Sequence, residues 1–167
     1  HHAAINVTVG KSVKNDWYPG EIIPVKDIAR NSIKVRELQA AFTENGVLTT
    51  IYVDTTSSYK AYYVMFGSDY SVKKKDSEIS SNVNGVNLAV SGNTLYMGFL
   101  NRDTEHYGPY VYKGSASTNS IDWNKSGVYG ASIHEGLLAY HISITTFDGK
   151  LYAIVDDKGK PSLAQSH

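Results

Sequence analysis

The chain has no cysteine and only four prolines in 167 residues. Without thiols there is no disulfide framework, no thiolate metal site and no cysteine nucleophile. Sixteen Lys and Arg balance sixteen Asp and Glu. Binding to nucleic acid rests on a basic face that displaces phosphate counterions, so no nucleic-acid partner is expected. No apolar run reaches the roughly 20 residues of a membrane-spanning helix, and no charged-then-apolar leader opens the chain. No membrane partner is expected either. The helix formers Ala, Leu and Glu are thin, which predicts little helix beyond a turn near Val25 to Ala29.

What the chain does have is β-favouring residues: 41% hydrophobic, with 13 Tyr. At this length it is one domain, 1–167, with room for a sizeable core. Three tight-turn dipeptides, Asn45-Gly46, Gly92-Asn93 and Asp148-Gly149, accept the positive φ that joins hairpin strands. An alternating strand precedes each turn: Leu38, Ala40 and Phe42; Val86, Leu88 and Val90; Ile142, Ile144 and Phe147. A second strand follows each: Val47 to Val53, Thr94 to Leu100 and Lys150 to Val155. A polar loop then leads to a third strand at Val64, Val111 or Ser162, and the segment from Val7 falls into the same register. Spacings between these four positions are 57, 47 and 51 residues. Four-stranded antiparallel units repeated at this interval predict an all-β domain of about three antiparallel four-stranded β-propeller-like blades. A β-sandwich of unrelated hairpins is the alternative. Lys73-Lys74-Lys75, followed by Asp76 and Glu78, reads as a solvated loop.

The stretch Ser115-Ala116-Ser117-Thr118-Asn119-Ser120-Ile121-Asp122-Trp123 resembles the Asp-box turn of sialidase-like propellers, roughly S-x-D-x-G-x-x-W between the third and fourth strands of a blade. Asn119 and Ser120 stand where Asp or Gly is expected. Lys11 to Trp17 resembles a shortened copy, and Ser68-Asp69-Tyr70 keeps the start of one. The resemblance implies a structural turn, with Trp123 packed between sheets, and carries no activity across. Sialidases of that family set three arginines around a carboxylate and use a tyrosine nucleophile. The arginines here are Arg30, Arg36 and Arg102, none in that family's Arg-Ile-Pro context.

In a propeller the loops joining second and third strands share a rim with the links between blades. Those loops hold Asp54 and Tyr59; Arg102, Asp103, Glu105, His106 and Tyr107; and Asp156 and Asp157. Carboxylates accept paired hydrogen bonds from sugar hydroxyls, Arg donates in a fixed fork, and an aromatic face covers the C–H side of a sugar ring. These nine residues are the expected ligand-binding set, and their partner is a glycan. His134 and His141 lack the i, i+4 spacing that puts two imidazoles on one cation. No metal and no cofactor is expected. The expected function is a non-catalytic, lectin-like module, secreted or cell-surface. Part of a sialidase-like or other glycoside hydrolase propeller and a protein-interaction scaffold are the alternatives. About three blades do not close a ring, so a homo-oligomer, or the missing part of a longer propeller, is expected to complete it.

Overall fold

Residues 95–100, Leu-Tyr-Met-Gly-Phe-Leu, run without a polar interruption, and the computed structural model of the chain shows that this strand is covered on both faces. The structure describes residues 6–8, 11–13, 16–18, 22–24, 34–103, 107–125, 139–157 and 160–165. Val25 to Ala29, the expected helical turn, lies outside them. All described sheets are antiparallel, and no described residue is helical. No helix among the described residues is long and apolar enough to cross a membrane.

Three meanders dominate. The first sheet is β5 (Val35–Phe42), β6 (Leu48–Asp54), β7 (Lys60–Phe66) and β8 (Val72–Ser80), hydrogen-bonded in that order. The second is β9 (Val83–Ser91), β10 (Thr94–Asn101), β11 (Gly108–Ala116) and β12 (Ile121–Asn124). The third has three strands: β13 (Ile142–Phe147), β14 (Lys150–Asp157) and β15 (Lys160–Gln165). Each first hairpin closes at the expected dipeptide, through a different turn. Gly92-Asn93 has positive φ only at Gly92, the pattern of a type II′ turn, whereas Asp148 and Gly149 are both positive, as type I′ requires. At the first hairpin, Gly46 N donates to Thr43 O and Gly46 alone is left-handed, so a longer loop closes on the glycine.

The sheets stack face to face. Ile51 and Val53 of β6 and Tyr63 and Met65 of β7 meet Leu95, Met97 and Phe99 of β10 in one core. From the opposite face of β10, Tyr96 and Leu100 meet Ile142, Ile144, Leu151 and Ala153 of the third sheet. Residue alternation along β10 thus feeds two interfaces at once, and each side chain fully buried there contributes about 1.5–3 kcal/mol. Gly98 permits the second contact: a Cβ at this position would lie 2.8 Å from Ile144 Cγ2. Leu48, Tyr52, Tyr62, Val64 and Phe66 form a third cluster on the other face of the first sheet.

Two sequence expectations need correction. Val7 does not open a third strand. β1 (Asn6–Thr8) pairs with β4 (Ile22–Pro24), and β2 (Lys11–Val13) with β3 (Asp16–Tyr18). Ile22–Pro24 supplies the partner, and the segment read as a shortened Asp-box carries the paired strands β2 and β3. Lys73-Lys74-Lys75 lies in strand β8, not in a loop, because pairing with β7 at Met65↔Lys74 satisfies its backbone.

Candidate functional site

Hydrogen bonds define two rims. On one, the hairpin turns of neighbouring sheets join: Glu44 N donates to Gly92 O at 3.0 Å and Asn45 N to Asn93 Oδ1 at 2.9 Å. On the other, the loops joining second and third strands meet the link between sheets. Asn82 N donates to Ser58 O at 2.9 Å, Val83 N to Tyr59 O at 3.0 Å, and Arg102 N to Asn82 O at 2.9 Å.

That second rim also carries two β-bulges. In β5, Val35 faces Asp54 and Glu37 faces Val53, leaving Arg36 as the extra residue. In β9, Asn87 faces Gly98 and Asn84 faces Leu100, so Gly85 and Val86 share the space opposite Phe99. Gly85 takes φ 59° to do so. A bulge turns side chains out of strict alternation, and bulges concentrate beside binding sites. Gly85 N donates to Glu37 Oε1 at 3.3 Å and ties the two irregular stretches together.

Arg36, Tyr59, Asn82, Asn84 and Arg102 line the resulting cleft, a cavity of about 230 Å³. The Arg36 guanidinium carbon lies 5.8 Å from the centre of the Tyr59 ring, and that of Arg102 lies 5.1 Å from the Tyr107 ring. Arg102 Nη1 also donates to the Tyr107 hydroxyl. Ser58, Tyr59 and Asn82 all have left-handed backbones, with φ of 50°, 51° and 56°. Two fixed cations, two amides and a phenol, with no carboxylate among the five lining residues, suit a hydroxylated ligand that also bears negative charge.

The expected site residues separate. Tyr59 and Arg102 line the cleft, with Tyr107 against the Arg102 guanidinium. Asp103 is half-buried beside Arg102, and its N–H donates to Asn101 Oδ1 at 2.9 Å. Glu105 and His106 lie outside the described residues, as does the side chain of Asp157. Asp54 is 1% exposed, too buried to meet a ligand. Its Oδ1 accepts from Thr56 Oγ1 at 2.6 Å, Thr56 N at 2.9 Å and Lys34 N at 3.3 Å. Asp156 sits at the equivalent place in the third sheet, where its Oδ1 accepts from His141 N at 2.7 Å and Tyr140 N at 2.9 Å. These two carboxylates thus hold the backbone leading into the first strand of their own sheet. Burial pushes the Asp156 carboxyl up, but the N–H groups of His141 and Tyr140 outweigh it and hold the group below the usual carboxylate range.

Arg36, Asn82 and Asn84 escaped the sequence reading. No residue pattern marks a bulge, so nothing local in the sequence singles out Arg36. Asn82 belongs to the link between the first two sheets, the kind of segment expected to border a crevice, and Asn84 follows in the bulged start of β9.

A second depression, of about 470 Å³, lies over Lys113, Ser115, Asp122, Trp123 and Asn124 on the outer strands of the second sheet. The cross-strand pairs Lys113↔Asn124 and Ser115↔Asp122 give it its polar floor. Among the described residues, no three His, Asp or Glu side chains group as a metal ion needs.

No protein-family model matches the chain, and no curated protein matches it. Solved structures do. Trypanosoma rangeli sialidase in complex with the inhibitor DANA superposes with a TM-score of 0.54 at 18% identity, covering 98% of this chain and 33% of that one. A further structure of Trypanosoma rangeli sialidase gives a TM-score of 0.47 at 16% identity, covering 100% of this chain and 36% of that one. The chain spans about a third of the length of those sialidases. The first likeness establishes a partial resemblance to the sialidase-like propeller fold: an all-β, antiparallel, propeller-like arrangement.

Proposed function

We propose that the chain is a non-catalytic, lectin-like propeller module that binds glycans carrying an anionic substituent in the cleft between its first two sheets. The observation that carries this reading is the pairing of Arg36 and Arg102 across one cavity with Tyr59, Asn82 and Asn84. Guanidinium groups donate paired N–H bonds to an oxyanion, while amides match sugar hydroxyls. No carboxylate stands among the described lining residues, and two cations on one cleft suit holding an anionic group, which supports the binding reading.

A glycan array probed with the purified chain tests the reading. Sialylated, uronic-acid or sulfated glycans are expected to be retained over neutral ones, and Arg36→Ala and Arg102→Ala to abolish retention. Silence across all acidic glycans removes the reading.

The second reading is that the chain is part of a sialidase-like propeller completed by further sheets. Its support is the coverage of the Trypanosoma rangeli sialidase, 98% of this chain against 33% of that one. In either reading the completing sheets come from a second copy or from further polypeptide, the site is extracellular or at the cell surface, and Asp122-Trp123 closes a degenerate Asp-box. Light scattering separates the two sources: a mass that is a multiple of 18.3 kDa supports self-assembly.

A further inference from the structure

The two arginines of the cleft share an arrangement: each guanidinium lies within about 6 Å of a tyrosine ring centre, the range of a cation–π contact. An arginine on a loop or bulge otherwise samples many rotamers, and a ligand must order it. A ring against the face of a guanidinium restrains its plane and leaves the N–H edge for bonding. The geometry at Tyr59 is not what its sequence favours. Ser58 and Tyr59 are consecutive left-handed residues, a conformation uncommon for a bulky side chain. The bonds from Asn82 N to Ser58 O and from Val83 N to Tyr59 O hold them there. Strain of this kind gathers at ligand clamps. Tyr107 differs from Tyr59 in one respect, since its hydroxyl accepts one of the five Arg102 N–H groups and leaves four.

We propose that Tyr59 and Tyr107 are positioning residues, which fix the planes of the Arg36 and Arg102 guanidinium groups so that both meet one oxyanion of the ligand. This inference rests on the glycan reading above. Tyr59 acts through its ring face alone, whereas Tyr107 acts through both ring and hydroxyl.

The test uses the side-chain Nε–H signals of arginine in NMR spectra of the full chain, together with titration of glucuronate as the acidic probe. In the free protein, the Arg36 and Arg102 signals are expected to be displaced by ring currents. Tyr59→Gly suits the left-handed backbone and adds no strain there. It is expected to return only the Arg36 signal to the solvent position and to weaken glucuronate binding about two- to fivefold. Tyr59→Phe is expected to restore both signal and affinity, while Tyr107→Phe keeps the ring current and still loses affinity. Unchanged affinity in Tyr59→Gly, with the ring-current shift gone, overturns the positioning role while glycan binding stands. If the wild type binds neither glucuronate nor any acidic glycan, both readings fall. A Tyr107→Phe variant as tight as Tyr59→Phe overturns the part assigned to the hydroxyl.

Discussion

The indole of Trp123 meets the ring of Tyr63 edge-on, with centroids 6.1 Å apart and planes at 67°. This contact joins the edge strand of the second sheet to β7 of the first. Gly114, opposite Trp123 in β11, makes room for the indole: a Cβ there would stand 2.9 Å from Trp123 Cε3. Trp123 packs against the core shared by the two sheets, and its buried Nε1 has no hydrogen-bond partner among the described residues.

Trp123→Ala is therefore expected to act on stability. The ring is only partly buried, so the loss should be about 3 kcal/mol, the lower end for truncating an aromatic core residue. Urea unfolding measures it. An unchanged midpoint would show that the two sheets do not depend on this contact.

Gly98→Ala should loosen the join between the second and third sheets, because its methyl group would overlap Ile144. Overpacking of this kind costs about 1–3 kcal/mol. Combined with Ile144→Ala, which removes the Cγ2 methyl that the new group would strike, the loss is expected to be smaller than the sum of the two single losses. Additive losses in the double-mutant cycle would rule out a direct clash.

Asp54→Ala leaves Lys34 N and Thr56 N without the acceptor that both now share. Unpaired groups at so buried a position cost about 1–3 kcal/mol each at most. Asp54→Asn keeps an oxygen there and should lose less. Thermal melts of the two variants side by side decide whether the acceptor matters; equal losses would mean that the negative charge does.

Acid titration tests the anchor in the third sheet. The folded Asp156 carboxyl lies below its ordinary value, as does that of Asp69, which accepts from both the hydroxyl and the N–H of Ser71. A depressed folded pKa stabilises the fold above the unfolded value of about 3.9, and this contribution fades as pH falls through that value toward the folded pKa. Melting temperature should thus decline below about pH 4, with a shallower decline in Asp156→Asn. Wild type and variant running in parallel from pH 6 to pH 2 would dismiss the linkage.

Local chemistry in the sequence determined the three hairpin turns and the two strands that flank each of them. Asn-Gly, Gly-Asn and Asp-Gly take backbone angles that most residues avoid, so their positions are legible without any tertiary context. The residue types offered to a ligand on one rim were legible for the same reason, since loops joining second and third strands are separated from the hairpin turns by one strand length. Tertiary structure alone decided which of those residues face the cleft. Asp54 and Asp156 look like ligand groups in sequence, yet backbone N–H groups from their own sheets claim their oxygens. Arg36 looks like a plain strand residue, yet a bulge makes it the extra residue of β5 and brings it over Tyr59. Hydrogen bonds and bulges of this kind depend on partners 15 to 48 residues away, as between Asp156 and His141 or Glu37 and Gly85, and no short stretch of sequence encodes them.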